Sequence, residues 1–181
     1  MEPLLTAALN DSCDRLLESS RAIPVNDLNE SVFRYFFAEA VINRAPSTQL
    51  LFECNRIDLV VRTPLDLAFL EFKYYIHSPA IDPCTFLPKN RKKGYPSEAN
   101  VCNFKKSIEI LRRRECSDEV RKYVVLFYED PEGARGRTYD LDYADVHLDK
   151  VLRISQLLSP IAFSCLSTRA KCTARLYAVQ A

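Results

Sequence analysis

Two neighbouring segments of alternating residues constrain the fold of this chain more than any other feature. Residues 56–61 read RIDLVV, residues 67–75 read LAFLEFKYY, and a short turn containing Pro64 lies between them. Strand-forming runs joined by so short a turn predict an antiparallel hairpin. A register centred on that turn places Asp58 directly opposite Glu71, with both side chains on the same face.

Side-chain alternation assigns the two faces of this hairpin to different environments. The predicted core face carries only apolar side chains: Ile57, Leu59, Val61, Leu70 and Phe72. The opposite face presents Asp58, Glu71 and Lys73 together. Facing carboxylates repel unless a proton or a cation lies between them, and a hard divalent ion such as Mg²⁺ prefers oxygen ligands. A salt-bridged, solvated sheet face would use the same residue types, although Asp is depleted in strands.

The remaining pattern predicts a mixed sheet with helices on its faces, which is an α/β (α+β) fold. We expect one domain over residues 1–181, with a core at about 27–128, an N-terminal helix at 3–20 and a C-terminal extension at 148–181. The predicted elements are a helix from Asn26 or Asn29 to about Asn43, a strand at 49–54, a long loop at 77–96, a helix at 98–114, a strand at 121–128 and a helix near 148–158. Residues 161–181 are ambiguous.

Composition excludes several classes of protein. Only three glycines occur, too few for a phosphate-binding loop or a dinucleotide fingerprint. Seven cysteines without a CxxC pair, and only two histidines, disfavour a zinc or iron–sulfur site. No apolar stretch approaches the roughly 20 residues that span a bilayer. The N-terminus has no basic start, so we expect a reducing, cytoplasmic location with free thiols and no membrane partner.

A basic segment interrupts an otherwise acidic chain. Residues 89–114 contain nine Lys or Arg and two Glu, whereas the net charge of the whole chain is +1. Such a segment is typical of a surface that binds a polyanion. An exposed loop followed by a solvated helix face explains the same charges equally well.

The sequence Ile57-Asp58, a hairpin turn and then Glu71-Phe72-Lys73 resembles the PD-(D/E)xK, or restriction-endonuclease-like, nuclease superfamily. Ile57 stands where the motif has proline, a departure that removes no ligand. The family order of a helix, three antiparallel strands, a helix and a strand is similar to residues 27–128. The resemblance therefore covers about the central two-thirds of the chain.

The resemblance implies a role for each matching residue. Asp58 and Glu71 would be metal ligands for Mg²⁺ or Mn²⁺, and Lys73 would be the catalytic lysine. A glutamate of the first core helix would join them, with Glu30 the better candidate, Glu39 a second and Glu53 of the first strand a weaker third. On the helix after the hairpin, Asn103 and Lys106 match a polar pair of the family. Nucleic-acid contacts are expected from Lys92, Lys93, Lys105 and Lys106, with a solvated helix face the alternative for the last two.

Three functional hypotheses follow. The first is a metal-dependent nuclease that hydrolyses phosphodiester bonds, in DNA or, less often in such proteins, in RNA. The second is a nuclease-like fold that binds nucleic acid or a protein without cutting it. The third is an unrelated α/β domain in which Glu71 and Lys73 form a surface pair. Because no recognition motif is readable, specificity is expected to come from a homodimer, from a partner protein or from DNA structure.

Overall fold

The computed structural model describes residues 1–23, 25, 27–76, 78–81, 84–85, 88–93, 98–114, 119–129, 143, 154–156, 161–164 and 171–180. These residues form three helices and nine strands. In chain order the elements are α1 (Glu2–Ser19), α2 (Glu30–Arg44), β1 (Gln49–Cys54), β2 (Ile57–Arg62), β3 (Leu67–Tyr75), β4 (Ser78–Ile81), β5 (Pro88–Lys93), α3 (Glu98–Arg113), β6 (Val120–Glu129), β7 (Ile154–Gln156), β8 (Ile161–Ser164) and β9 (Lys171–Val179).

The three helices confirm the helical periodicity of the sequence. Asn29 is the N-cap of α2, and its side-chain oxygen accepts a hydrogen bond from the backbone N–H of Val32 at 3.1 Å. This bond satisfies one of the N–H groups that a helix start leaves unpaired. Within the described part of the chain, no helix is long and apolar enough to cross a membrane.

The hairpin register is confirmed where the two strands pair. Leu59 pairs with Leu70 and Arg62 pairs with Leu67, so β2 and β3 are antiparallel around the predicted turn. Strand β1 adds a second antiparallel hairpin on the other side of β2.

The sheet is mixed and has seven strands in the order β1-β2-β3-β6-β9-β7, with β8 also paired to β9. Strands β3 and β6 are parallel over their whole shared length, whereas the other pairs are antiparallel. The crossover between β3 and β6 contains α3. Strand β3 therefore lies in the middle of the sheet, with antiparallel β2 on one side and parallel β6 on the other.

Helices cover both faces of this sheet. On one face α1 and α2 pack over β3 and β6, where Phe33 contacts Phe72 and Phe127 edge-on or tilted. On the other face α3 packs Phe104, Ile108 and Leu111 onto alternate residues of β6 and β9. Two covered faces explain why β6 reads as a nearly continuous apolar run.

Two predictions on the less regular segments are corrected, and one ambiguous segment is assigned. The predicted loop 77–96 contains the antiparallel β4–β5 hairpin, whose polar PKNRKK strand lacks any alternation that would reveal it. The predicted helix 148–158 is wrong at Ile154–Gln156, which pairs as β7 with β9, while the rest of that segment lies outside the described residues. The ambiguous end supplies β8 and β9. Pairing to a distant strand decides these segments, and local pattern does not contain that information.

Candidate functional site

Strands β2 and β3 separate next to Asp58, Glu71 and Lys73, the polar residues that the sequence analysis placed together. Among the described residues, their pairing ends at Leu59–Leu70, although β3 continues to Tyr75. The β1–β2 pairing likewise omits Glu53 and Asp58 between Phe52–Leu59 and Cys54–Ile57. We call the gap between the two strands beyond Leu59–Leu70 the cleft, and the backbone N–H groups of β3 that face it need other acceptors.

Two carboxylates from different elements accept hydrogen bonds from these N–H groups. The Asp58 carboxylate accepts a hydrogen bond from the backbone N–H of Phe72 at 2.7 Å. The Glu30 carboxylate, in the first turn of α2, accepts one from the N–H of Tyr74. Alternate N–H groups of one strand thus fix an acid from β2 and an acid from α2 beside each other. The structure brings Glu30 to the cluster that the hairpin begins.

Glu71 faces Asp58 across this cleft. Burial, and then the negative charge of Asp58, raise the pKa of Glu71 to about 7, and the Lys73 ammonium opposes them only in part. Asp58 also lies within hydrogen-bonding reach of the Glu71 carboxyl. A carboxyl of this pair therefore holds a proton close to neutral pH, which relieves the repulsion that the sequence implied.

Lys73 lies at the side of the acidic pair. Its Nζ donates to the carbonyl oxygen of Phe72 at 2.6 Å and is 3.8 Å from Oε2 of Glu71. The Lys73 charge also acts on Glu30, where burial is the main cause of a pKa above the ordinary value. The Lys73 ammonium thus acts on two partly buried glutamates, Glu30 and Glu71.

Arg34 is a member of the cluster that the sequence analysis missed. Its Nη1 lies 2.6 Å from Oε1 of Glu53 and 3.2 Å from Oδ1 of Asp58, and its side chain is only 10% exposed. Because Arg34 follows Glu30 by four residues on α2, both side chains project from the same face of the helix. That spacing was the signal available in the sequence.

Of the two remaining acidic candidates, Glu53 belongs to the cluster and Glu39 does not. Glu53 joins the cluster through Arg34, and its backbone has a φ of 51°, in the left-handed region that disfavours residues with a side chain. Glu39 lies in the third turn of α2, half-buried beside Tyr35 and Leu50, and it is not among the charges that act on Glu30 or Glu71. The structure therefore brings Glu30 and Glu53 together with Asp58, and places Glu39 elsewhere.

The predicted nucleic-acid contacts are spread over two elements. Asn103 and Lys106 are exposed on α3, Lys105 is half-buried there, and none of the three is among the charges that act on the acidic cluster. Lys92 and Lys93 lie in β5, opposite Pro79 and Ser78 of β4, and their side chains lie outside the described part of the structure.

A groove lies beside the cluster on the same face of the hairpin. Its cavity is about 570 Å³, and its lining residues are Gln49, Leu51, Cys54, Asn55, Ile57, Val60, Arg62, Leu67, Phe69 and Arg114. We call it the β1–β3 groove. Ile57, expected in the core with Leu59, is buried but lines this groove instead. Ile57 directly follows Asn55 and Arg56, whose backbones are left-handed, and alternation is not regular along β2.

The donor set fits a hard divalent cation in its chemistry. Asp58 and Glu71 present facing carboxylates, and Glu30 supplies a third, so three oxygen donors of the kind that such an ion prefers lie close together. In the described residues, no group of three or more His, Cys, Asp or Glu side chains is arranged to hold a metal ion. No family model, no curated protein and no solved structure matches this chain.

Proposed function

We propose that this chain is a metal-dependent nuclease with a restriction-endonuclease-like core, acting on phosphodiester bonds, most directly in DNA. The observation that carries the proposal is the grouping of Glu30, Asp58, Glu71 and Lys73 at the point where β2 leaves β3. Four residues from three elements converge there, and two of the glutamates have raised pKa values. Perturbed acids grouped in a cleft are a mark of functional sites.

Each side chain has a defined role in this proposal. Asp58 and Glu71 would hold Mg²⁺ or Mn²⁺, with Glu30 as the third carboxylate. The bound ion would supply Lewis-acid stabilisation of the charge that develops on the phosphoryl group. Lys73 is held by the Phe72 carbonyl, so its ammonium can orient a water molecule and neutralise charge on the phosphate.

The chemistry of the reaction requires no covalent intermediate with the protein. Water attacks phosphorus in line, one P–O bond forms, and the bond to the leaving oxygen breaks. The proton lost by the attacking water goes to solvent, and the leaving oxygen is protonated from solvent. The chain's own contribution is to position the phosphate and to hold these charges in a partly buried cleft.

A cleavage assay tests the proposal. Purified protein would be incubated with supercoiled plasmid, linear duplex DNA, single-stranded DNA and RNA, each with Mg²⁺, Mn²⁺ or EDTA. We expect metal-dependent cutting that disappears in Lys73→Ala and in Asp58→Ala. Lys171→Ala is the matched control, because Lys171 is an exposed lysine at the start of β9 and carries no role in the proposal. Cutting that survives in Lys73→Ala, or that EDTA leaves unchanged, would contradict it.

One observation favours a second candidate, a nuclease-like domain that binds without cutting. The Arg34 guanidinium already lies against Asp58 and Glu53, where it supplies positive charge that a metal would otherwise provide. Calorimetric titration with Mn²⁺ separates the candidates. Saturable binding that Asp58→Ala removes supports the nuclease, whereas a folded protein that binds DNA but no metal supports the second.

A further inference from the structure

We propose that the β1–β3 groove binds one unstacked nucleobase of the substrate strand, immediately beside the acidic cluster. This inference rests on the proposed function and extends it to a substrate class: single-stranded nucleic acid, or a duplex from which a base has been turned out.

The position follows from strand geometry. Phe69 lines the groove and is two residues from Glu71 on β3, where buried and half-buried residues alternate regularly. Residues two apart on a strand lie on the same face and roughly 7 Å from each other. The floor of the groove and the acidic cluster are therefore consecutive rows of one surface. A strand whose phosphate lies at Asp58 and Glu71 has its neighbouring base over Val60 and Phe69.

The lining suits a flat, partly polar ring. Leu51, Val60 and Phe69 pair side by side across β1, β2 and β3, and they form an apolar floor. Leu51 remains 56% exposed, although it is a large apolar side chain. Gln49 and Asn55 place amide groups at the rim, where they can donate to and accept from the edge of a base. Stacking on an apolar or aromatic floor with polar groups at the edge is how proteins hold an extruded base.

The charges at the rim favour a polyanion over a neutral metabolite. Arg62 and Arg114 both line the groove, and Arg114 donates a hydrogen bond to the backbone carbonyl of Asn55. That bond ties the end of α3 to the β1–β2 turn and holds a guanidinium at the groove edge. A guanidinium can stack on a base or bind the adjoining phosphate in a bidentate manner. The cavity of about 570 Å³ is ample for a base with part of its sugar.

Two neighbouring residues of β1 provide a matched pair of variants. Leu51 lines the groove, whereas Phe52 lies on the other face of β1 beside Tyr35. Both side chains are about half exposed, at 56% and 46%, so both positions tolerate a polar residue. Leu51→Glu and Phe52→Glu change the net charge equally, and any difference between them reports the groove.

The experiment measures binding in EDTA, so that no cleavage is needed. Fluorescence anisotropy would follow a short labelled single strand and the matching blunt duplex. We expect Leu51→Glu to weaken single-strand binding at least about tenfold more than Phe52→Glu does, because stacking of one base contributes that much. The duplex should respond equally to both variants. Equal weakening of the single strand by the two variants would overturn the proposal.

A scan of the ligand removes any ambiguity from misfolding. Single strands with one abasic nucleotide, moved along the sequence, would be bound by the wild type and by Leu51→Glu. We expect one abasic position to weaken wild-type binding about tenfold and to leave Leu51→Glu unchanged. If no abasic position affects the wild type, the groove holds no base. Loss of cleavage with the abasic effect intact refutes the nuclease alone, and cleavage without the abasic effect refutes the groove alone.

Discussion

The single residue Arg34 neutralises part of the negative charge of the acidic cluster when no metal ion is bound. Its guanidinium is 10% exposed and contacts Asp58, which is 16% exposed, as well as the more open Glu53. Removing one partner of a buried pair leaves a charge without compensation. We therefore expect Arg34→Gln to lower the free energy of unfolding by about 2–3 kcal/mol in EDTA, as measured by urea denaturation.

The control for Arg34 is the Arg44–Asp11 ion pair, which has shorter contacts but is more exposed to solvent. Arg44 bonds both oxygens of Asp11 at 2.5 and 2.7 Å, yet the two side chains are 44% and 40% exposed. Arg44→Gln should cost less than about 1 kcal/mol. Added Mg²⁺ should restore part of the stability of Arg34→Gln alone, because the cation replaces the lost guanidinium charge. Equal losses in the two variants, without rescue, would show that Arg34 has no special place in the cluster.

Glu71 gives the cluster a pH dependence of definite sign. Its folded pKa of about 7 exceeds its ordinary value of 4.5, so the folded state binds more protons between these values. The stabilisation is complete below the lower value and is lost as pH rises through the higher one. In EDTA at about pH 8, Glu71→Gln should be more stable than the wild type by roughly 1–2 kcal/mol, and near pH 5 the difference should shrink.

Denaturant unfolding across this pH range checks the prediction. Glu39→Gln makes the same change on α2, away from the cluster, and controls for the amide itself. A stability difference for Glu71→Gln that stays constant from acid to mildly alkaline pH would mean that the Asp58–Glu71 pair is solvated rather than buried together.

Among the connections between elements, the β1–β2 turn has a backbone conformation that does not suit one of its residues, Arg56. Asn55 and Arg56 have φ values of 51° and 65°, which is the pattern of a two-residue type I′ turn. Asn tolerates this region and Arg does not, so Arg56→Gly should raise the free energy of unfolding by about 0.5–1 kcal/mol. Thermal unfolding measures the gain.

Leu65 in the next turn is the matched comparison for Arg56. It is 93% exposed and, among the residues described, is not one of those with a positive φ. Leu65→Gly should therefore destabilise, because glycine adds freedom to the unfolded chain without relieving strain in the folded one. A loss of stability in both variants would show that the β1–β2 turn carries no strain at Arg56.

The same elements show which parts of the fold a sequence can predict. The β2–β3 hairpin is readable because alternation, turn length and register are all local, and Asp58, Glu71 and Lys73 come with it. Glu30 was preferred over Glu39 because it lies at the start of the helix, and the structure adds its hydrogen bond with the backbone N–H of Tyr74. Arg34 was missed because its partners lie 19 and 24 residues away, on strands whose separation no local pattern encodes.

In the molecule as a whole, strand β9 completes the hydrophobic core, although the core was predicted to lie earlier in the chain. The predicted core ends near residue 128, and every member of the acidic cluster precedes it. Strand β9, however, lies between β6 and β7, and Cys172, Ala174 and Leu176 are fully buried there. Without β9, the long apolar strand β6 would become an open edge.

This arrangement predicts that residues 1–129 do not fold alone, although they contain the whole candidate site. Burial of one large apolar side chain contributes about 1.5–3 kcal/mol, and a domain has only about 5–15 kcal/mol of net stability. Losing Leu176 and Tyr177 with the pairing of β6 removes most of that margin. We expect a chain ending at Glu129 to show no cooperative unfolding by circular dichroism and to be cut rapidly by protease, whereas one ending at Val179 behaves as the intact chain does. Cooperative unfolding of the shorter chain would mean that the structural core ends at β6, and that β9 is an addition to a nuclease-like unit that is complete without it.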